Sequence, residues 1–216
     1  MSERTGGRRF VLQLDRLVTI TDVVYALVLW RIFQLLPMPE HTDWTPGYFL
    51  SFFGDNAMAY VLVIIGLAVT IIYWIQNNSL FGDLARTDGR HTAVSIIQLF
   101  CLLLFLKALR IGVEMTPSAG TRALESGAAA LMGFVAAWGW SYAIKDRRLL
   151  QDDVANDEAL ATRDRILAEP IAALVTIPFA FIGPWLWEAS WLTYPLFVKL
   201  LKRWRRASEA NSGSSQ

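Results

Sequence analysis

The sequence predicts an all-α integral membrane protein with six transmembrane helices. Three observations predict it. Hydrophobic residues make up 54% of the 216-residue chain and charged residues only 18%. The apolar residues fall in long blocks, several of them near the roughly 20 residues a helix needs to cross a bilayer core of about 30 Å. Lys and Arg sit between the blocks and alternate from loop to loop, which is how short loops encode sidedness.

The first block, 14–36, ends at Pro37. It is long, contains Asp22 and Arg31, and no small-x-small site follows it, so it reads as a retained helix rather than a cleaved signal. Pro37, Pro39, His41, Asp43, Pro46 and Gly47 form a turn-rich loop. Helix two is expected over 52–77, with Asp55 and Asn56 as caps near its start. Helix three covers 92–113 and helix four 124–144, separated by Pro117 and Gly120. The run KDRRLLQDDVANDEALATRDR is too polar for lipid and reads as a loop with a surface helix. Helices five and six cover 166–182 and 185–201, split at Gly183-Pro184, with Pro170 and Pro178 expected to kink helix five. One domain therefore spans 1–206, and the low-complexity tail 207–216 is expected to be disordered.

The amino end, the loop after helix two, the loop after helix four and the carboxyl end are basic. The loop after helix one has no Lys or Arg, and the loop after helix three has only Arg122. That alternation expects an even number of spans and both ends in the cytoplasm. The basic ends fit anionic membrane lipid rather than nucleic acid. Ala129, Gly133 and Ala137 repeat every four residues on helix four and predict close helix packing, within the chain by preference. Trp138, Trp140, Trp185, Trp187, Trp191 and Trp204 lie near helix ends and read as an interfacial aromatic belt. Cys101 is the single cysteine and sits in an apolar run, so it reads as core.

No nucleotide-binding, zinc-protease, serine-hydrolase or CxxC motif is present, so no enzyme activity and no metal or cofactor is expected. His41 and His91 fall in loops on opposite sides of the membrane. The functional signal lies in charges inside apolar helices, which are costly and mark functional sites. Helix one carries Asp22 and Arg31, with Arg16 at its mouth; helix three carries Lys107 and Arg110, followed by Glu114. Thr21 adds a hydroxyl beside Asp22. Gln76, Asn77 and Asn78 at the end of helix two reach the depth of Asp22, which predicts a hydrogen-bonded cluster between helices one and two. Arg31 is expected to snorkel or to pair with Glu40 or Asp43.

Two stretches carry a family resemblance. Arg16-Leu-Val-Thr-Ile20-Thr21-Asp22 resembles the helix-one signature of the transmembrane protein 175 family, lysosomal potassium channels and their prokaryotic relatives, with Ile20 and Thr21 replacing a Phe and a Ser. Tyr73-Trp74-Ile75-Gln76-Asn77-Asn78 followed by Leu80-Phe81 resembles the family's second-helix motif, with Asn77 and Asn78 replacing two histidines. The resemblance implies a potassium-favouring cation channel without a TVGYG filter, permeated by K+, assembled as a homo-oligomer and, for a single six-helix chain, a tetramer. It also implies that helix one lines the pore, that the constriction falls on Leu27, and that the position linked to potassium preference falls on Trp30, with Gln34 a turn further on. Helical spacing independently places Val23, Leu27, Trp30 and Gln34 on one stripe. Arg16, Thr21, Asp22 and Asn77 are expected to hold helix one in place rather than to meet the ion. Two further readings stand beside the channel. A non-conducting scaffold or sensor is supported by Trp30, Arg31 and the replaced histidines, and would dock a partner on the charged loop before helix five. An anion-permeable relative would use Arg31, Lys107 and Arg110 as an outer attracting ring.

Overall fold

The computed structural model of the chain describes residues 2–39, 45–115 and 118–213, with side chains described over 11–39, 45–115 and 118–207. The described residues form α-helices α1 (Ser2–Phe33), α2 (Pro46–Asp55), α3 (Ala57–Gly82), α4 (Gly89–Glu114), α5 (Ala119–Ile144), α6 (Asn156–Ala180), α7 (Pro184–Ser190) and α8 (Tyr194–Gly213). Two 3-10 turns, Lys145–Arg147 and Trp191–Thr193, interrupt the order. Among the described residues, three helices are long and apolar enough to cross a membrane on that basis alone: α3, α4 and the segment Ala119–Arg147 that contains α5.

Caps explain where the helices begin. Asp88 accepts the His91 backbone N–H at 2.8 Å, and Ser118 and Thr121 form a reciprocal capping box at the start of α5. Pro46 opens α2, where its missing N–H costs nothing. Helix two of the sequence reading is thus two helices broken at Asn56. Asn56 does not cap α3; its amide donates back to the Phe52 carbonyl at 2.8 Å, at the end of α2.

The second half of the chain departs further from expectation. The charged run contributes the 3-10 turn and then the first turns of α6, which starts at Asn156 rather than at 166 and runs through Pro170 and Pro178. The expected helix six divides into α7, a 3-10 turn and α8. Pro195 favours the break, because it has no N–H to donate to the turn before it and is best tolerated in the first turn of a helix, where it sits in α8. Helix α8 continues to Gly213, into the segment whose composition reads as a disordered tail. His91 is not in a loop but buried in the first turn of α4, with Nδ1 3.0 Å from the Thr87 hydroxyl. His41 lies outside the described residues.

Helix α5 forms the centre, packed along α4 on one side and α6 on the other. Its small residues make this possible. Ala129, Gly133 and Ala137 are all buried, and a Cβ on Gly133 would fall 2.6 Å from Tyr73 Oη and 2.8 Å from Pro170 Cδ. Trp140 and Trp187 leave the expected aromatic belt and join the core. Their indole N–H groups donate to the Ala159 carbonyl at 2.9 Å and to Ser126 Oγ at 2.8 Å. Trp138, Trp185 and Trp204 stay exposed. Cys101 is buried.

The basic segments gather at one end of the bundle. Leu84 and Leu150 form an antiparallel bridge that joins the loop after α3 to the loop after α5. Leu14 and Leu17 of α1 share an apolar cluster with both loops. Arg205 of α8 pairs with Asp164 of α6 at 2.7 Å. Arg86 and Arg147 donate to loop carbonyls rather than standing free for a partner. Burial opposes ionisation of Asp88 there, but bonds from the His91 backbone N–H and the Tyr142 hydroxyl outweigh it and hold the carboxyl below the usual carboxylate range. At the opposite end, Arg122 donates twice to the Ala180 carbonyl and so satisfies the end of α6.

The Gly133 contact gives a paired prediction. Gly133→Ala should lower thermal stability in detergent by about 1–3 kcal/mol through overpacking. Gly127→Ala on the same helix, where nothing lies within 4 Å of the added carbon, should be neutral or slightly stabilising. Equal melting temperatures for the two variants would contradict the packing at α3, α5 and α6.

Candidate functional site

Helix α1 has two faces at helical spacing. Leu14, Leu17, Thr21, Tyr25, Val28 and Ile32 are buried against α3 and α4. The other face, Ile20, Val23, Leu27 and Trp30, is exposed along its whole length, with Leu27 at 58% and Trp30 at 57%. The stripe expected from the sequence, Val23, Leu27, Trp30 and Gln34, lies on this uncovered face. Polar groups bracket it: Asp15, Arg16 and Thr19 at one end, Arg31 and Gln34 at the other. The Trp30 and Phe33 rings stack at 6.2 Å.

A buried polar contact sets the rotation of α1. The Asn77 amide donates to Tyr25 Oη at 2.6 Å, and the Gln98 amide donates to Asn77 Oδ1 at 3.2 Å, so one asparagine joins α3, α1 and α4. A second contact lies about one turn away along α1. Asp22 Oδ1 accepts the Trp74 indole N–H at 2.9 Å, and the Asn78 amide, with its nitrogen toward Asp22, donates to the same oxygen at 3.3 Å. Tyr73 with Asn77, and Trp74 with Asn78, are four residues apart, so each pair shares a face of α3.

The expected cluster is therefore rearranged. Asp22 meets Trp74 and Asn78, whereas Asn77 meets Tyr25 and Gln98. Gln76 reaches a third helix and donates to Glu169 Oε2 at 2.8 Å. Among the described residues Arg16 makes no hydrogen bond or ion pair, and the buried Thr21 hydroxyl has no partner. Tyr25, Trp74 and Gln98 are the members that sequence reasoning missed. The signals were present: Tyr25 follows Asp22 by one turn, and Gln98 is a lone amide in an apolar helix. Glu125, Glu169 and Glu188 were missed too. Glu125 and Glu169 are buried, and Glu125 Oε1 and both Glu188 oxygens have no partner among the described residues. The rule that singled out Asp22 and Arg31 flags these acids equally, since each falls inside an expected span.

Arg31, Lys107 and Arg110 come together. They line one cleft of about 750 Å³ between the ends of α1 and α4, beside Trp30 and Gln34. Arg31 donates to Gln34 Oε1 at 3.2 Å, and Arg110 pairs with Glu114 at 2.7 Å. Glu40 and Asp43, the expected partners of Arg31, lie outside the described residues.

This architecture is that of a multi-pass helical membrane protein. Structural comparison makes it specific. A crystal structure of a lysosomal potassium-selective channel TMEM175 homologue from Chamaesiphon minutus matches with a TM-score of 0.71 at 18% identity, over 88% of this chain and 98% of that one. A variant of the potassium channel MtTMEM175 bound to a nanobody–MBP fusion matches with a TM-score of 0.60 at 19% identity, over 90% and 93% of the two chains. The chain has the fold of these transmembrane protein 175 channels, as its two motifs anticipated. No family sequence profile and no curated protein sequence matches it.

The Asn77 contact yields the second prediction. Asn77→Leu should cost about 1–3 kcal/mol, because Tyr25 and Gln98 are left unpaired in the core. Combining it with Tyr25→Phe and Gln98→Leu should return part of that loss. A triple variant no more stable than Asn77→Leu, by thermal unfolding in detergent, would contradict the contact.

Proposed function

We propose that the protein is a homotetrameric, potassium-favouring cation channel of the transmembrane protein 175 family, with six spans in a plasma membrane and both termini cytoplasmic. One observation carries this reading. The α1 face that bears Val23, Leu27, Trp30 and Gln34 is left uncovered by the rest of the chain, while the face behind it is locked by hydrogen bonds to α3 and α4. Four copies around an axis would bring these stripes together and bury them against one another. The two solved structures compared above are a homologue of a lysosomal potassium-selective channel and a variant of a potassium channel.

In this reading the gate is a ring of Leu27, with Trp30 a turn beyond it. A constriction of apolar side chains excludes water, and an ion that would lose its hydration there does not cross. Opening requires the α1 helices to move apart until the ring wets. Asp22 and Asn77 act by position: they hold α1 to α3 and α4 and do not meet the ion. A second reading, anion permeation, is favoured by the gathering of Arg31, Lys107 and Arg110 beside the outer end of the stripe.

The test is ion flux through purified protein in planar bilayers. The reversal potential should move toward that of potassium under a potassium–sodium gradient. Leu27→Ala should raise the conductance severalfold, and an unchanged conductance would place the constriction elsewhere. A chloride-directed potential that collapses in Arg31→Gln would favour the second reading.

A further inference from the structure

The cleft between the ends of α1 and α4 combines two chemistries. Its apolar walls come from Leu35, Leu36, Leu103 and Leu106, and its polar rim from Arg31, Lys107 and Arg110. Among the described residues Glu114 is the one acidic residue lining it, and it is engaged with Arg110. The described rim residues therefore carry three positive charges against one negative. At about 750 Å³ the cleft lies within the range of roughly 300–1,000 Å³ found for small-molecule sites. It is large for a bare anion, and its apolar walls give a bare anion nothing to contact. The charges, in turn, select against a neutral amphiphile.

The location agrees with the chemistry. The ends of α1 and α4 lie opposite the end where the basic loops gather, because the short connection from α3 to α4 places the start of α4 among those loops. The cleft thus sits where a spanning helix leaves the hydrocarbon. There, cationic side chains meet lipid phosphates and leucines meet acyl chains. Arginine binds a phosphate through two parallel N–H groups, and lysine adds a compact point charge.

We propose that this cleft holds one anionic phospholipid per chain, its phosphate among Arg31, Lys107 and Arg110 and its acyl chain along the leucine wall. The inference is independent of whether the protein conducts. It bears on conduction through Trp30 and Gln34, which line the same cleft and also stand on the exposed stripe of α1. A seated lipid would brace that end of α1 and neutralise Arg31, removing a positive charge that would otherwise oppose cation passage.

Native mass spectrometry of the intact protein in detergent tests this, with phosphatidylglycerol or phosphatidylcholine added. One phosphatidylglycerol per chain should be retained in preference to phosphatidylcholine. Each basic group near a lipid surface contributes about 1 kcal/mol, a factor of about five, so Arg31→Gln with Lys107→Gln should weaken phosphatidylglycerol retention roughly 25-fold. Arg31→Lys with Lys107→Arg should keep it. Equal retention of the two lipids by the unaltered protein would overturn the proposal, whatever the variants do, and would be the outcome if a neighbouring subunit fills the cleft. Retention unchanged in Arg31→Gln with Lys107→Gln would overturn it as well.

Discussion

The bonds from Asn77 to Tyr25 and from Gln98 to Asn77 decide which way α1 faces. An apolar helix in lipid has little to fix its rotation, since lipid tails solvate every face about equally well. A buried polar group breaks that degeneracy, because only one rotation satisfies it. Each such bond contributes a net of about 1 kcal/mol, but leaving its partners unpaired costs about 1–3 kcal/mol, so the wrong rotation is penalised more than the right one is favoured. Asp22 with Trp74 and Asn78 repeats the constraint one turn away. With Tyr25 turned inward, Val23, Leu27 and Trp30 turn outward.

The two ends of the bundle are built differently. At one end, loops are stitched by backbone bonds, Arg86 and Arg147 donate to loop carbonyls, and Arg163 and Arg205 pair with Asp164. At the other end the basic groups line an open cleft with apolar walls. Between them the α5 core combines close contact, with Gly133 set against Tyr73 of α3 and Pro170 of α6, with buried polar bonds that join Ser126 to Thr176 and Trp187 and Tyr73 to the Ala129 carbonyl. This division leaves α1 fastened along one face and uncovered along the other.

Much of this was legible in the sequence. Apolar block length anticipated α3, α4 and α5, because those helices carry few charges. The small-residue repeat on α5 anticipated its packing, and two short motifs anticipated the fold that the solved channels share. The second half was harder to read. Helix α6 begins inside a charged run because its polar opening residues Asn156, Asp157 and Glu158 are exposed, and the buried Ala159 behind them is too small for hydropathy to register. Pro195 was the overlooked signal for the break before α8. Within the site, the spacing placed Val23, Leu27, Trp30 and Gln34 on one stripe, as the structure does. The partners of Asp22 and Asn77 were not recoverable from depth alone. Which of three consecutive polar residues meets which helix depends on the rotation of α3, and that is set by packing far along the chain.

The central claim is that the uncovered face of α1 meets its own copies around an axis. Cysteine cross-linking tests it most directly, since the natural Cys101 is buried. With Leu27→Cys, mild oxidation or a short bismaleimide should link subunits covalently on a denaturing gel. Ile64→Cys, on an exposed face of α3, should not link. A folded, oligomeric Leu27→Cys protein that stays monomeric on the gel would show that α1 faces lipid instead and would contradict the account.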